Sequence, residues 1–416
     1  MRVLMLSPAF PPEITGSGNL YYELATSLVR GGHGVTVITA QPRQRLGSQG
    51  LDGRPRRLLE RLVVDGVHVL RPATLSLRLD RALSKGLDHF AIAGSYLAAG
   101  LAAARPDVIL VYSPPLTLGV TGAWLAGRYR VPMVFNAQDM FPQYAIDTGL
   151  LKSAALTRMF RAMERYVYRQ AASIVVHSDG NRRFLAERGV PADKLHVITN
   201  WADTDRITPQ PRDNDFRREH GLGNRFVVSY AGTMGWAQGL DGVLEAARLL
   251  RDTPEVLVLF VGDGPRRRAL ESTAASLGLD NVRFLPLQPP DRYRALLAAS
   301  DACLISLNER LTTPVIPGKL FDIMAAGRAV LASVPADGDA AKAVWGADCG
   351  LVVDPGSPAA LAKAVRTLVA DPGRLEVLGK NGRLQAEMRY SRAVSIAAYE
   401  HLLTRAPALG GVSAHV

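Results

Sequence analysis

Short runs of β-branched and other apolar residues alternate with amphipathic stretches along this chain, and they do so in two successive series. The first series has the strand candidates RVLMLS, VTVITA, DVILVYS, MVFNA, SIVVHS and HVITN. The second has FVVSYAG, VLVLFVG, VRFLP, ACLISL, AVLASV and GLVVDP. Strands that alternate with helices are typical of a parallel sheet covered by helices. The pattern therefore predicts an α/β chain with two Rossmann-like, doubly wound parallel-sheet domains.

The position of the break between the two series sets the expected domain boundaries. At 416 residues the chain is too long for a single ordinary core. A polar stretch at 201–225, which contains Pro209 and Pro211, is predicted to be the linker. We expect an N-terminal domain over 1–200, a C-terminal domain over 226–385, and a last helix within 386–416 that crosses back to the N-terminal domain. Because doubly wound domains bind ligands at the carboxyl ends of their strands, the two are expected to face a shared cleft.

The net charge of +11 is concentrated in the first half of the chain. Residues 1–200 hold 24 Lys and Arg against 14 Asp and Glu, whereas the remainder holds 25 against 24. Two clusters, at 54–62 and 78–85, precede the apolar stretch 89–104, and their cations are Arg54, Arg56, Arg57, Arg61, Arg78, Arg81 and Lys85. Such a patch is typical either of contact with anionic lipid or of a solvated arginine-rich face, and both interpretations stay open. Nucleic acid is disfavoured, because no aromatic-interleaved or zinc-spaced module accompanies the charge.

The cysteines and the apolar runs indicate the compartment. Cys303 and Cys349 both lie inside apolar runs, which favours core thiols in a reducing compartment over a disulfide. There is no secretion signal and no uninterrupted apolar run of about 18 residues, so a cytoplasmic chain without a membrane-spanning helix is expected.

Three glycine loops follow strand candidates at positions where a backbone can approach a phosphate group. They contain Gly16, Ser17 and Gly18, then Gly232, then Gly262, and the first of them leads into a helix predicted to begin near Asn19. Free amides at a helix start favour an anion. None of the loops is a GxGxxG motif, and no acid stands about 20 residues after the first loop, so a dinucleotide dehydrogenase is disfavoured. Together the three loops favour an anion site.

The segment PGKLFDIMAAG at 317–327 supplies a cation and an acid at a helix start. Gly318 is expected to leave backbone donors exposed, and Lys319 to stabilise a departing diphosphate. A helix terminus contributes about 0.3 to 1 kcal/mol to anion binding, against about 1.5 to 3 kcal/mol for a charge-assisted hydrogen bond, so the lysine should dominate. Asp322, one turn later, can accept two hydrogen bonds from a ribose diol. The alternative is that Asp322 only complements the helix dipole and Lys319 is solvated.

No metal site or cofactor is predicted. A D-x-D motif, Asp203 to Asp205, lies in the predicted linker, and the eight histidines have no metal-ligand spacing.

The motifs in this order resemble those of GT-B fold glycosyltransferases of family 4, in particular the branch of bacterial surface-polysaccharide synthesis that includes L-fucosamine transferases of O-antigen and colanic acid assembly. The segments that carry the resemblance are PPE at 11–13, GSG at 16–18, RGGHGVTVIT at 30–39, NAQDMFPQ at 136–143, YAGTMGWAQGL at 230–240, VGDGP at 261–265, NVRFLP at 281–286 and PGKLFDIMAAGRAVLAS at 317–333.

This resemblance implies a retaining transfer from a nucleotide-diphosphate sugar, without a metal, to an acceptor hydroxyl. It implies a catalytic role for Lys319, a ribose contact for Asp322 and a sugar- or acceptor-positioning role for Asp139. It implies donor contacts for Gly16, Ser17, Gly18, Gly232, Thr233, Gln238, Gly262, Leu285 and Gly318. The chain departs from the family pattern at Pro314, where members have a glutamate, and at Gln138, where many have histidine.

The branch further implies a UDP-sugar donor, with an N-acetylated deoxyhexosamine among the candidates. Its acceptors are polyprenyl-diphosphate-linked glycans, which would give the basic patch a role at the inner face of the cytoplasmic membrane. Two alternatives remain open at this point, namely a UDP-sugar epimerase of the same fold and a non-catalytic nucleotide-sugar-binding protein.

Overall fold

The computed structural model describes residues 1–12, 16–41, 58–73 and 83–409, without the side chains of 16–17, 83–89 and 407–409. The chain divides into two compact units. One comprises residues 1–199 together with the segment from 396 onward, and the other comprises 200–395. Each unit is an α/β layer structure built on a largely parallel sheet, so the predicted fold class is confirmed.

The first unit alternates strands and helices along most of its length. Its strands are β1 (Arg2–Leu6), β2 (Gly34–Ile38), β3 (Leu59–Val64), β4 (Val67–Pro72), β5 (Val108–Ser113), β6 (Met133–Ala137), β7 (Ser173–Val176) and β8 (Leu195–Val197). Its helices are α1 (Gly16–Arg30), α2 (Leu83–Leu101), α3 (Leu116–Tyr129), α4 (Gln143–Asp147), α5 (Ala154–Gln170) and α6 (Asp179–Ala186).

The sheet of the first unit has the strand order β3-β4-β2-β1-β5-β6-β7-β8. Met5 of β1 is paired with Val37 on one side and Leu110 on the other, both in parallel register. Strands β5 and β6 are buried along their whole length, as expected for parallel strands covered on both faces. The core therefore lies on both sides of the central strands.

The antiparallel hairpin of β3 and β4 at one edge of this sheet was not among the predicted strands. Asp65 and Gly66 form its turn with φ angles of 49° and 82°. Two successive residues with positive φ are typical of the tight turn that joins hairpin strands, and Asp-Gly is a strong sequence signal for it. The first residues of β3 overlap the basic cluster at 54–62, and their charge obscures the pattern of a strand.

The second unit repeats the alternation. Its strands are β9 (Phe226–Ala231), β10 (Val256–Val261), β11 (Val282–Leu285), β12 (Ala302–Ser306), β13 (Ala329–Ser333) and β14 (Gly350–Val353). Its helices are α7 (Asp215–Glu219), α8 (Asp241–Leu249), α9 (Arg267–Ser276), α10 (Pro290–Ala299), α11 (Lys319–Ala325), α12 (Asp339–Gly346), α13 (Pro358–Ala370) and α14 (Pro372–Arg389), and α15 (Arg392–Leu409) follows. The strand order is β11-β10-β9-β12-β13-β14 with every pair parallel, which is the doubly wound order.

The segment 201–225, expected to be a linker, belongs to the second unit. Arg217 is 2 % exposed there, and its guanidinium donates to the carbonyl oxygens of Gly223, Arg225 and Ala299. It also lies 3.5 Å from the carboxylate of Asp301. At least one polar residue of this stretch, Arg217, is thus buried where it satisfies carbonyl groups, and a polarity pattern cannot distinguish such a residue from a solvated one.

The chain returns to the first unit later than expected. Helix α14 and the start of α15 belong to the second unit, and the first unit resumes at Ile396. Tyr399 is 1 % exposed and Leu403 fully buried. The amide of Asn136 on β6 is bonded to the Tyr399 hydroxyl at 2.7 Å, so α15 contributes to the interior of the first unit.

Cys303 and Cys349 are both buried free thiols, as predicted. Among the described residues, no helix combines the length and the apolar character that crossing a membrane would require.

Candidate functional site

The glycine loops at the carboxyl ends of β9 and β10 pack directly on one another. Gly232 and Gly262 have φ angles of 137° and 142°, which side chains disfavour. A Cβ atom at Gly262 would lie 2.0 Å from the carbonyl oxygen of Gly232, so only glycine fits. The amide of Gly262 donates to the carbonyl oxygen of Leu285 at 3.1 Å, which adds the end of β11. The structure thus brings together three of the residues predicted to contact the donor.

Lys319 reaches this same edge from the start of α11. Its Nζ lies 3.7 Å from the centre of the Tyr230 ring and would be 2.9 Å from a Cβ atom at Gly232. No carboxylate among the described residues pairs with it. Burial lowers the pKa of Lys319 to about 7. The ammonium is therefore held at the strand edge mainly by the aromatic face of Tyr230. A negative charge placed beside Lys319 would raise its pKa and restore its protonation.

The start of α11 differs in one respect from expectation. The amides of Leu320 and Phe321 donate to the carbonyl oxygens of Pro317 and Gly318, at 2.9 and 3.1 Å. The expectation that exposed backbone donors assist Lys319 is wrong for these two amides. Gly318 has ordinary helical angles, and a Cβ atom there would meet nothing within 4 Å. Neither backbone conformation nor packing therefore requires glycine at that position.

Asp322 is half-buried on the first turn of α11, three residues after Lys319. Its Oδ2 accepts a hydrogen bond of 3.2 Å from the hydroxyl of Tyr293 on α10. Burial and the neighbouring Asp322 carboxylate raise the pKa of Tyr293 well above its usual range. The phenol therefore stays protonated and fixes the orientation of the carboxylate.

Thr233 and Gln238 lie in the loop after β9, where they shape the loop itself. The Tyr230 hydroxyl donates to the Thr233 carbonyl oxygen at 2.6 Å, and Gln238 Oε1 accepts from the Gly235 amide at 3.0 Å. The Thr233 side chain is exposed. The structure therefore assigns the Gln238 oxygen to loop closure, and both residues stay predictions as donor contacts.

Sequence reasoning missed one cation beside this loop. The guanidinium of Arg266 lies 4.1 Å from the ring centre of Trp236 and 2.5 Å from a carboxylate oxygen of Asp241. Trp236 is 59 % exposed. The signal in the sequence was the position of Arg266 directly after the glycine loop of β10, but the contact joins two loops that are 30 residues apart, which spacing alone does not reveal.

The first unit carries the other predicted catalytic residue. Asp139 follows β6, and its carboxyl group forms no hydrogen bond or ion pair with any described residue. Burial raises the pKa of Asp139 to about 6. A half-buried acid with no partner among the described residues, in a loop at a strand end, is typical of functional carboxylates.

A buried hydrogen-bond network lies beneath that loop. His177 Nδ1 contacts the carbonyl oxygen of Ile198 and its Nε2 contacts the Asn136 side chain, both at 2.8 Å. Burial lowers the pKa of His177 to about 4, so the ring is neutral near pH 7. In the structure the Asn136 Oδ1 faces His177 Nε2 and the Asn136 amide nitrogen donates to the Tyr399 hydroxyl. A neutral ring that donates from Nδ1 must accept at Nε2, which requires the two amide atoms of Asn136 to exchange places.

The first glycine loop and the basic patch are only partly described. Helix α1 begins at Gly16, so Gly16, Ser17 and Gly18 form its first turn, three residues earlier than expected. Of the basic patch, Arg61 lies exposed on β3 and donates to the Ala102 carbonyl oxygen at 3.4 Å. Lys85 lies on α2 with its side chain outside the description. The predicted patch residues outside the described part of the chain are Arg54, Arg56, Arg57, Arg78 and Arg81.

Comparison with known domains and proteins decides the family. Residues 15–201 match the glycosyl transferase 4-like domain, and residues 212–385 match the domain of glycosyl transferases group 1. The chain belongs to glycosyltransferase family 4. Together the two matches extend over both units, so the family resemblance expected from the motifs is confirmed.

Curated relatives of this family 4 glycosyltransferase include a protein named for polysaccharide synthesis. WcaI of Escherichia coli strain K12, named as a colanic acid biosynthesis glycosyl transferase, is 29 % identical over 79 % of this chain and 82 % of its own length. WbjE of Pseudomonas aeruginosa, named as a glycosyltransferase, is 26 % identical over 71 % of this chain and 73 % of its own.

Solved structures show that the fold is GT-B. Sucrose-phosphate synthase from Thermosynechococcus elongatus superposes with a TM-score of 0.76 at 17 % identity, over 97 % of this chain and 98 % of its own. HepE from Anabaena, solved in complex with UDP-glucose, gives a TM-score of 0.72 at 19 % identity, over 97 % and 99 %.

Proposed function

We propose that this glycosyltransferase is a retaining enzyme that transfers a sugar from a UDP-sugar to a polyprenyl-diphosphate-linked or other glycan acceptor in surface-polysaccharide synthesis. The observation that carries the proposal is the position of the Lys319 ammonium beside Gly232, at the strand edge where Gly262 and Leu285 also meet. The polysaccharide-synthesis name of WcaI and the UDP-glucose bound to HepE support the acceptor and donor classes. Within these classes, the proposed donor sugar is an N-acetylated deoxyhexosamine.

The first proposed step is departure of the nucleoside diphosphate. This step concentrates negative charge on the diphosphate oxygens, and preorganised donors aimed at such charge give the largest contribution to catalysis. Lys319 has no competing carboxylate among the described residues, so its charge is directed to the ligand. We propose that this cation serves where other enzymes use a metal ion, and that the reaction needs no cofactor.

Asp322 is proposed to hold the ribose of the same donor. Its carboxylate has two oxygens, of which Oδ2 accepts from Tyr293. Since a carboxylate can accept about four hydrogen bonds, capacity remains for both hydroxyls of a diol. Its spacing of three residues from Lys319 on one helix matches the reach from a ribose to the diphosphate attached to it.

Asp139 is proposed to position the sugar or the acceptor from the first unit. The acceptor proton is proposed to pass to the departing phosphate oxygen, on the same face as the new bond, so Asp139 need not act as a base. Its half-buried carboxyl group, which has no partner in the part of the chain that the structure describes, supports a role in accepting hydrogen bonds from sugar hydroxyls.

A cytoplasmic location at the inner face of the membrane is also proposed, with peripheral contact through the basic patch. The charge excess of the first 200 residues and the lipid-linked acceptor class support it. Flotation with neutral and anionic vesicles tests this contact, and equal binding to both would count against it.

Transfer itself is tested by incubating the purified protein with a panel of UDP-sugars and a polyprenyl-diphosphate-linked sugar, with and without EDTA. A glycosylated lipid that retains the anomeric configuration of the donor supports the proposal, and unchanged rates in EDTA support the metal-free step. Conversion of free donor without transfer would indicate an epimerase, and donor binding without turnover would indicate a non-catalytic protein.

A further inference from the structure

A cavity of about 150 Å³ opens on the first unit, and none of the predicted donor-binding residues is among those that line it. The residues that line it are Pro142, Gln143, Arg161, Glu164, Arg165 and Arg188. Below it is called the arginine cavity. Arg161 and Arg165 come from α5, Arg188 follows α6, and Gln143 begins α4. A cavity of this volume accommodates a small organic group or several water molecules.

The charge of the lining is unbalanced. Three guanidinium groups, which stay protonated at any physiological pH, surround one carboxyl group. Among the described residues, no arginine nitrogen lies within ion-pair distance of Glu164, whose carboxylate accepts instead from the Tyr168 hydroxyl at 3.2 Å. The lining therefore keeps a positive charge of at least two.

Glu164 does not behave as the counter-ion of the arginines. All three of them lower its pKa, yet burial outweighs them and the pKa of Glu164 is raised overall. A carboxylate paired with three arginines would show the opposite direction. The positive charge of the cavity is thus available to something outside the chain.

The guanidinium groups also keep most of their donors. Arg161 donates to the Gln143 side-chain oxygen at 3.2 Å, and Arg188 donates to the Phe184 carbonyl oxygen at 3.0 Å while stacking on the Phe184 ring. Arg165 forms no hydrogen bond or ion pair with a described residue. Since each arginine has five N–H donors in a planar fork, many stay available. Like charges at positions i and i+4 of a helix, such as Arg161 and Arg165, destabilise it unless an anion lies between them.

We propose that the arginine cavity binds a phosphoryl group. Planar guanidinium forks match the oxygens of phosphate bidentately, and several converging arginines favour a doubly charged anion over a carboxylate. The cavity shares its loop with Asp139, because Pro142 and Gln143 follow that residue within four positions. On the proposed function, the phosphoryl group is the diphosphate of the lipid-linked acceptor, and this assignment of the source rests on that function.

Exposed apolar residues on the same segment agree with a lipid-borne phosphate. Leu150 is 76 % exposed, Leu156 46 % and Met159 38 %. They precede or begin α5, the helix that carries two of the cavity arginines. A phosphate headgroup of the bilayer has the same chemistry as the acceptor diphosphate, so the experiment must separate the two.

Calorimetric titration at low ionic strength tests the proposal, with the Lys319→Ala protein as the background so that the donor site does not contribute. The probes are inorganic pyrophosphate, farnesyl diphosphate, farnesol and vesicles of phosphatidylglycerol. We expect pyrophosphate and farnesyl diphosphate to bind, and Arg161→Gln and Arg165→Gln each to weaken both at least tenfold. Arg158→Gln, which removes the same charge from the same helix outside the cavity lining, is the matched control and should change binding less than twofold.

A second variant gives a gain of binding that misfolding cannot produce. Glu164→Gln removes the one negative group of the lining and is expected to tighten pyrophosphate binding several-fold above the pKa of Glu164. Loss of farnesyl diphosphate binding with unchanged vesicle binding assigns the acceptor diphosphate, whereas loss of vesicle binding in the cavity variants assigns a headgroup. Both outcomes support the proposal that the arginine cavity binds a phosphoryl group.

Equal weakening by Arg158→Gln and the cavity variants, or no binding of any anionic probe, would overturn the proposal. Because the titration does not depend on turnover, it separates this inference from the proposed transfer. If the protein binds pyrophosphate through Arg161 and Arg165 but transfers no sugar, the phosphoryl site stands. Only the assignment of the acceptor diphosphate as its ligand then fails.

Discussion

The ammonium of Lys319 lies 3.7 Å from the ring centre of Tyr230, a contact between the start of α11 and the end of β9. The aromatic face attracts the cation, whereas the exclusion of water favours the neutral amine. Lys319 is therefore only partly protonated near pH 7. A negatively charged ligand beside Lys319 favours the protonated amine and raises its pKa. The contact thus couples donor binding to a proton.

This coupling predicts proton uptake on donor binding. With a pKa of about 7, roughly half of the ligand-free molecules carry the charge at pH 7, and a bound diphosphate should raise the pKa. We expect an uptake of about half a proton per UDP at pH 7, close to one at pH 8, and affinity that falls toward tenfold per pH unit above 7. Calorimetry in buffers of different ionisation enthalpy measures it.

The Lys319→Ala protein should show no uptake and transfer at least tenfold more slowly, a loss of about 1.4 kcal/mol of transition-state stabilisation. Lys363→Ala, which removes an exposed lysine from α13, is the control and should behave as the unsubstituted protein. Wild-type transfer by Lys319→Ala would remove the residue from the reaction.

Asp322 should recognise the ribose hydroxyls. We expect Asp322→Ala to lower transfer at least tenfold, about 1.4 kcal/mol, and to abolish discrimination between UDP and its 2′-deoxy analogue. The reason is that the carboxylate accepts from the diol, and its loss leaves both nucleotides equally bound. Competitive binding assays measure the ratio. Tyr293→Phe, which frees the carboxylate oxygen without removing it, should reduce the discrimination only partly.

Asp139 predicts a gain in stability together with a loss of activity. Its pKa of about 6 lies above the ordinary 3.8, so the native state binds the extra proton and the contribution of Asp139 to stability falls as pH rises from about 4 to 6. Asp139→Asn should therefore raise the unfolding temperature at pH 7 to 8 while lowering transfer at least tenfold. Thermal melts and initial rates on the same preparation test this, and a variant that is both destabilised and active would contradict it.

The lowered pKa of His177 predicts that its contribution to stability depends on pH with the opposite sign. Because its pKa is lowered from 6.5 to about 4, the unfolded chain binds the proton first as pH falls. We expect its contribution to stability to be complete above pH 6.5 and lost by about pH 4, up to about 3 kcal/mol at 1.4 kcal/mol per pKa unit. Denaturant titrations across that range measure it in the Asp139→Asn protein, where the opposing contribution is absent. His177→Gln should flatten the curve.

Two glycines make a matched pair. Gly262→Ala places a Cβ atom 2.0 Å from the Gly232 carbonyl oxygen at a φ of 142°, so we expect a destabilisation on the order of 3 kcal/mol or more. Gly318→Ala meets nothing within 4 Å and should not lower the unfolding temperature. If the donor diphosphate approaches that residue, the added methyl group should nevertheless weaken UDP binding, which calorimetry detects.

The strand and helix alternation was predictable because long apolar runs and amphipathic helices leave a local signature. The hairpin of β3 and β4 was missed although Asp65 and Gly66 mark its turn, since charged residues on an edge strand resemble a solvated cluster. The polar composition of 201–225 did not reveal the buried Arg217, because burial of a guanidinium among carbonyl groups is decided by the tertiary structure. The composition of the segment therefore does not indicate which of its arginines is buried.

The candidate site was predictable where its residues share one short segment. Lys319, Asp322 and Gly318 stand in one helix start, and their proximity follows from helical spacing alone. The contact of Lys319 with Tyr230 and that of Arg266 with Trp236 each join separate strand ends, so no periodicity encodes them. The arginine cavity combines residues of α4 and α5 with Arg188, which follows α6, and helical spacing accounts only for the proximity of Arg161 and Arg165.

The return of the chain at Ile396 has a consequence for biosynthesis. Tyr399 and Leu403 fill the interior of a unit whose first strand begins at Arg2, so the chain must leave the ribosome at least as far as Leu403 before that unit can close its core. Residues 200–395, by contrast, form a continuous stretch that can fold while synthesis continues. The first unit therefore begins synthesis before the second but completes its folding after it. A nascent chain halted before Tyr399 should stay sensitive to protease within residues 1–199.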